Sequence, residues 1–142
     1  MQDAPSPEQL LAAVVRFLRD DAGPALARNG DGALAYQARV ASNMLAIAGR
    51  ELRLAPAADA AEAARLQALL GDTGGAADLV RLNQQLAEAI ASAELDLRSP
   101  GLADHLWRTT LDKLAVDQPN YDSYRRQTVV AADVDRDRSN KP

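Results

Sequence analysis

Leu34, Ala38, Ala41, Leu45, Ala48 and Leu52 recur at alternating steps of four and three residues. That spacing sets all six on one line of an α-helix and scatters them over both faces of a strand. Half of the line is alanine, so the helix carrying it packs close to its neighbours along a narrow seam. Alanine followed by leucine leads the whole sequence, while aromatic residues make up 4%. The two commonest residues head the helix-propensity ranking, and the aromatic residues that favour strands are scarce. A chain of 142 residues falls within the size of one domain, about 100–200 residues. The expectation is an all-α bundle of about five helices over residues 1–124, with a thin leucine core and a polar, flexible tail over 125–142.

Local signals place the helices. Ser6, Pro7 and Gln9 make a capping box with proline at the first helical position, and Leu10, Leu11, Val14, Phe17 and Leu18 then form one apolar face. Gly23-Pro24 is expected to stop this helix, and Asp31 to cap the next, over Ala33–Leu54, which Pro56 ends. A third, alanine-rich helix carries Leu66, Leu69 and Leu70 inward and closes at Gly71. A fourth carries Leu79, Leu82, Leu86 and Ile90. A fifth begins at Ser99-Pro100 and turns Leu102, Leu106, Trp107, Leu111 and Leu114 to the core. Pro119 forces the chain out of helix at Gln118.

Charge and composition exclude several functions. The formal net charge is −4, the two lysines are Lys113 and Lys141, and the arginines are dispersed among carboxylates, whereas nucleic-acid binding rests on clustered basic residues. There are no cysteines, hence no disulfide, thiolate nucleophile or thiolate metal site. That fits a reducing, cytoplasmic setting. The N-terminal residues have neither the basic nor the apolar part of a signal peptide, and the longest apolar run, Leu10–Val15, falls far short of the roughly 20 residues that span a bilayer.

The one histidine, His105, falls beside Arg108, Thr109 and Asp112 and reads as a solvated surface residue without an orienting partner. No calcium-loop spacing and no Glu-x-x-His pair occurs, so no metal or cofactor is expected. Gly71-Asp72-Thr73-Gly74-Gly75 lacks the Lys-Ser/Thr that would make it a phosphate cradle. Asp20-Asp21, and Asp133, Asp135 and Asp137, read as solvated charge. No catalytic constellation emerges.

Two segments remain as candidate binding surfaces. Opposite the Leu45 stripe, Arg39, Asn43 and Arg50 share a line, with Tyr36, Val40, Ile47 and Leu54 beside it as a second apolar strip. Such a two-faced helix either lies central in a bundle or presents one face to a partner. Its arginines suit bidentate contacts with carboxylate or phosphate, or ion pairs within the bundle. At the end of the fifth helix, Lys113, Asp117 and Tyr121 surround a proline turn. Lys113 there also complements the helix dipole, and exposed tyrosine near arginine is typical of interface hot spots.

The stretches Arg39–Leu52 (RVASNMLAIAGREL) and Lys113–Tyr121 (KLAVDQPNY), with the opening Ala4–Leu11 (APSPEQLL), resemble a bacterial domain family of unknown function. The similarity runs from Ala4 to Tyr121. Members are small helical proteins encoded beside, or fused to, kinases similar to aminoglycoside phosphotransferases, often near acyl-CoA dehydrogenases. The resemblance implies an accessory subunit of a kinase that phosphorylates a 4-hydroxyacyl-CoA, with acyl-CoA at a shared site. Read from the residues alone, the alternatives are a stand-alone bundle binding a small acyl-thioester or anion, and a homo-oligomer joined through the second apolar strip.

Overall fold

Ser6 and Gln9 form both halves of the capping box. The Ser6 hydroxyl accepts from the Gln9 amide at 3.3 Å, and the Gln9 side chain accepts from the Ser6 amide at 2.8 Å. From this start the computed structural model describes residues 4–71 and 78–127. Its helices are α1 (Pro7–Arg16), α2 (Gly23–Arg28), α3 (Gly32–Leu70), α4 (Leu79–Ala91) and α5 (Leu102–Asp117), with a π-helical turn, Phe17–Ala22, between α1 and α2. Residues 122–127 add a short helical turn, and no strand occurs among the described residues. The Gly-rich segment 72–75 and the tail from residue 128 lie outside the described residues.

Gly23-Pro24 does not stop the first helix. Instead the backbone widens, and the Gly23 amide donates to the Leu18 carbonyl five residues back. A Cβ at Gly23 would stand 3.0 Å from that oxygen, so glycine is what allows the wide turn. Pro24 then sits in the first turn of α2, where a missing N–H leaves nothing unpaired. Asp31 caps α3 as expected, accepting from the Leu34 amide at 3.0 Å.

Nor does Pro56 end a helix: α3 continues through it for 39 residues in all. An interior proline costs about 3 kcal/mol through its lost hydrogen bond and ring clash. Here it is flanked by Ala55, Ala57 and Ala58, the best helix formers. No Ser, Thr, Asp or Asn stands just before it to cap a new helix, so continuing is the better local solution. The expected second and third helices are therefore one.

The chain divides into two compact units between Ala55 and Pro56. In the first, Leu11, Val15 and Leu18 are the half-buried line of α1 and the π turn, while Leu10, Val14 and Phe17 are exposed. On α3 the buried residues are Ala38 and Ser42, whose hydroxyl donates to the Val15 carbonyl at 3.4 Å. The anticipated leucine line runs to one side of this contact, leaving Leu34 and Leu52 about half exposed.

In the second unit Leu66, Leu82, Leu86 and Leu102 form the core, with Leu69, Leu70, Leu79 and Leu95 packed against it. Gly71 closes α3 at φ +80° as the expected C-cap. Asp78 caps α4, whose inward line is Leu82, Leu86 and Ala89 in place of Ile90. The fifth helix starts at Leu102 rather than Ser99, because the Ser99 hydroxyl accepts from the Asp96 amide and Asp96 accepts from Arg98 and Ser99. That closed turn uses up the capping group, and Gly101, at φ +86°, takes the N-cap position.

Leu82→Ala removes a fully buried side chain from this core and is expected to destabilise the protein by about 2–5 kcal/mol in urea unfolding. Val80→Ala, at a position 77% exposed, is expected to change stability by less than about 0.5 kcal/mol.

Candidate functional site

In the first unit the line Arg39, Asn43 and Arg50 belongs to the outer side of α3. Arg39 and Asn43 are exposed and Arg50 is half-buried. The Arg39 guanidinium stands 5.3 Å from the centre of the Tyr36 ring, a cation–π contact worth about 0.5–1 kcal/mol at an exposed site. The contact holds both side chains against the helix and presents them together. Beside them Tyr36 is 59% exposed, Val40 38% and Met44 66%, while Ile47 and Leu54 are half-buried. Tyr36, Val40 and Met44 follow one another at four-residue steps, so the second apolar strip faces outward over this stretch. Among the described residues of this unit only Ala38 and Ser42 are buried. No large apolar side chain is fully covered.

On the other side of α3, a groove of about 430 Å³ lies against α1, floored by Leu11, Ala12, Val15, Leu45, Ala46 and Gly49 and edged by Glu8, Arg16, Arg50 and Arg53. Arg50 thus reaches the groove margin, and Arg39 lines a second hollow of about 250 Å³ with Arg19, Pro24 and Ser42.

In the second unit Lys113, Asp117 and Tyr121 are all exposed. The sequence pattern placed Lys113 where it would meet the helix dipole. It stands four residues before the end, and Asp117 is itself the last helical residue. A carboxylate there faces the negative end of the dipole, so α5 closes against its own electrostatic preference. Tyr121 follows the Pro119 turn, its amide donating to the Gln118 carbonyl at 2.9 Å.

His105 is not a surface residue: it is 2% exposed. Leu106 and Trp107, expected inside, are 40% and 50% exposed. Anchoring α5 at Leu102 turns His105, Thr109, Asp112 and Val116 inward, a line at i+3, i+7, i+10 and i+14. Thr109 and Asp112 on this line meet Arg65 of α3. The Arg65 guanidinium donates to the Thr109 hydroxyl at 3.3 Å and to the Asp112 carboxylate at 3.4 Å. Glu62, one turn earlier, accepts from the Asn83 side chain at 2.7 Å. The His105 Nδ1 and the Arg65 Nε are buried without a hydrogen-bond partner among the described residues. Burial, and then the Arg65 charge, pull the His105 pKa below its ordinary value, against the opposing pull of Glu62 and Asp104. The imidazole is held neutral beside an arginine and out of reach of a reactant. Its neighbours Thr109 and Asp112 were legible in the spacing; their inward orientation was not.

Among the described residues no three His, Asp or Glu side chains gather as a metal site, and no helix is long and apolar enough to cross a membrane.

The lowered pKa has a thermodynamic consequence. The unfolded chain binds a proton at His105 near pH 6.5 while the folded chain resists it, so acid favours unfolding. Stability is expected to be full above about pH 6.5 and to fall as pH drops from there towards the folded-state pKa. Chemical denaturation from pH 7.5 to 5 checks this, and His105→Gln is expected to flatten the upper part of that slope.

A family model described as a domain of unknown function (DUF6285) matches residues 28–121. No curated protein and no solved structure matches the chain.

Proposed function

The chain belongs to the DUF6285 family of domains of unknown function, and from that premise we propose that it is a non-catalytic accessory subunit that binds a partner protein through the outer face of α3. The observation that carries this reading is the exposed strip Tyr36, Val40 and Met44, with Arg39 stacked on Tyr36 and Asn43 beside it, on a unit that fully buries no large apolar side chain among its described residues. A protein with no partner gains by turning such residues inward or replacing them with polar ones. Tyrosine and arginine side by side on a preformed helix supply large contact area and directed hydrogen bonds at small entropic cost, which is why they dominate interface energetics.

The proposed partner is a kinase similar to aminoglycoside phosphotransferases, encoded nearby, acting on a 4-hydroxyacyl-CoA. This part of the reading rests on the resemblance of the Arg39–Leu52 and Lys113–Tyr121 stretches. Phosphoryl transfer needs a phosphate-binding lysine, magnesium-holding carboxylates and a base in one constellation, and in this division of labour the kinase carries them. Lys113, Asp117 and Tyr121, all exposed, are the proposed contacts of the second unit.

Co-expression with the neighbouring kinase, followed by size-exclusion chromatography with mass detection, is expected to give one complex containing both chains. Tyr36→Ala with Met44→Asp is expected to weaken it by about 30-fold or more, the scale of a lost hot spot, with the circular dichroism spectrum unchanged because both positions are exposed. Two separate peaks together with a kinase fully active alone would sink the reading. A mass that is a multiple of 15.1 kDa without the kinase would replace it with a homo-oligomer.

A further inference from the structure

Gly49 lies in the interior of α3, where glycine costs about 0.5–1 kcal/mol relative to alanine. Nothing crowds it: a Cβ there would find its nearest neighbours, Leu11 Cβ and Cδ1, at 4.0 Å, an ordinary contact. No steric demand within the fold accounts for glycine at this position. What its missing side chain does is keep open the floor of the groove between α1 and α3, where Ala12 and Ala46 are also small.

The groove's shape and charge agree on an occupant. Its volume of about 430 Å³ falls in the range of small-molecule sites, roughly 300–1,000 Å³ with an apolar lining and few polar groups. Ser42 contacts Val15 and Gly49 faces Leu11, so α1 and this part of α3 run antiparallel. That register sets Arg16 at one end of the groove and Arg53, with Glu8, at the other. Arg50 belongs to that second end as well, where Glu8 stands against the two arginines, while no carboxylate among the described residues lines the groove at the Arg16 end. Neither Arg16 nor Arg53 has an ion-pair partner among the described residues. The geometry points to a binding site for a small amphipathic anion, with its hydrocarbon chain laid over Gly49, Ala46 and Ala12 and its carboxylate or phosphate head on Arg16. The site stands on the first unit alone and does not depend on a protein partner.

The test is thermal shift and calorimetry on the full chain, with octanoate, octyl phosphate, octanol and inorganic phosphate as probes. A ligand that binds only the folded state raises the melting temperature by mass action. Octanoate, octyl phosphate or both are expected to raise it. Octanol and inorganic phosphate are expected not to, since each lacks one half of the match. The two anions decide which head group is preferred. Arg16→Gln is expected to weaken binding about tenfold, the scale of one charge-assisted hydrogen bond, and Arg53→Gln by less. Gly49→Ala, which suits the helix better, is expected to melt higher than the parent without ligand and to respond less to it. Gly49→Leu is expected to fold and not to respond. Equal responses to octanol and octanoate, binding unchanged in Arg16→Gln and Gly49→Leu, or no response to either anion would each overturn the site. None of these outcomes bears on the kinase complex, which has its own readout.

Discussion

The burial of Leu66, Leu82, Leu86 and Leu102 against one another is the interaction on which the second unit depends. Each fully buried leucine contributes roughly 1.5–3 kcal/mol from its apolar surface, and the four draw on α3, α4 and α5. Everything polar in that unit follows from their placement. Once Leu102 is fixed beneath α3, the helical repeat brings His105, Thr109 and Asp112 round to the same side, opposite Arg65 and Glu62. A buried neutral imidazole and an arginine shared between a hydroxyl and a carboxylate are consequences of that rotation. They carry an electrostatic cost that the leucine core offsets.

The first unit is built differently. Its contact between α1 and α3 is made by Ser42, Gly49 and the half-buried Leu11 and Val15, so it brings backbones near each other without covering much large apolar surface. The same economy of side chain leaves a groove on one side of α3 and an uncovered strip, Tyr36, Val40 and Met44, on the other. One unit thus holds the closed leucine core and the other keeps accessible surface of two kinds, apolar and arginine-rich. That division is the physical basis for proposing recognition at α3 and its neighbour α1.

Several features were legible residue by residue because their causes are local. The Ser6–Gln9 capping box, the Asp31 cap, the glycine end of α3 at Gly71 and the break after Asp117 each depend on a few adjacent residues, and each forms as read. The outward strip on α3 was legible as a second face of the helix, though periodicity left open whether it lay inside a bundle or outside. The errors have a common origin. Gly23-Pro24 and Pro56 are strong breakers in isolation, yet a π turn and an alanine run carry the chain through both. Ser99 is a good helix cap that Asp96 engages first. His105 reads as a surface residue because a wheel centred on Leu106, Trp107, Leu111 and Leu114 leaves it outside, whereas the covered face is centred between Leu102, His105 and Val116.

The sequence by itself determined that this protein is helical, where α1 and α3 begin and where α3 and α5 end, and that it has no cysteine and a single histidine, because propensity, capping and composition act within a turn or two of chain. Only the tertiary structure decided which face of each helix is covered. That choice rests on burying leucines from segments far apart in the chain. A helix with apolar residues on more than one side has no local reason to prefer either, and the packing of α4 and α5 against α3 chose for it.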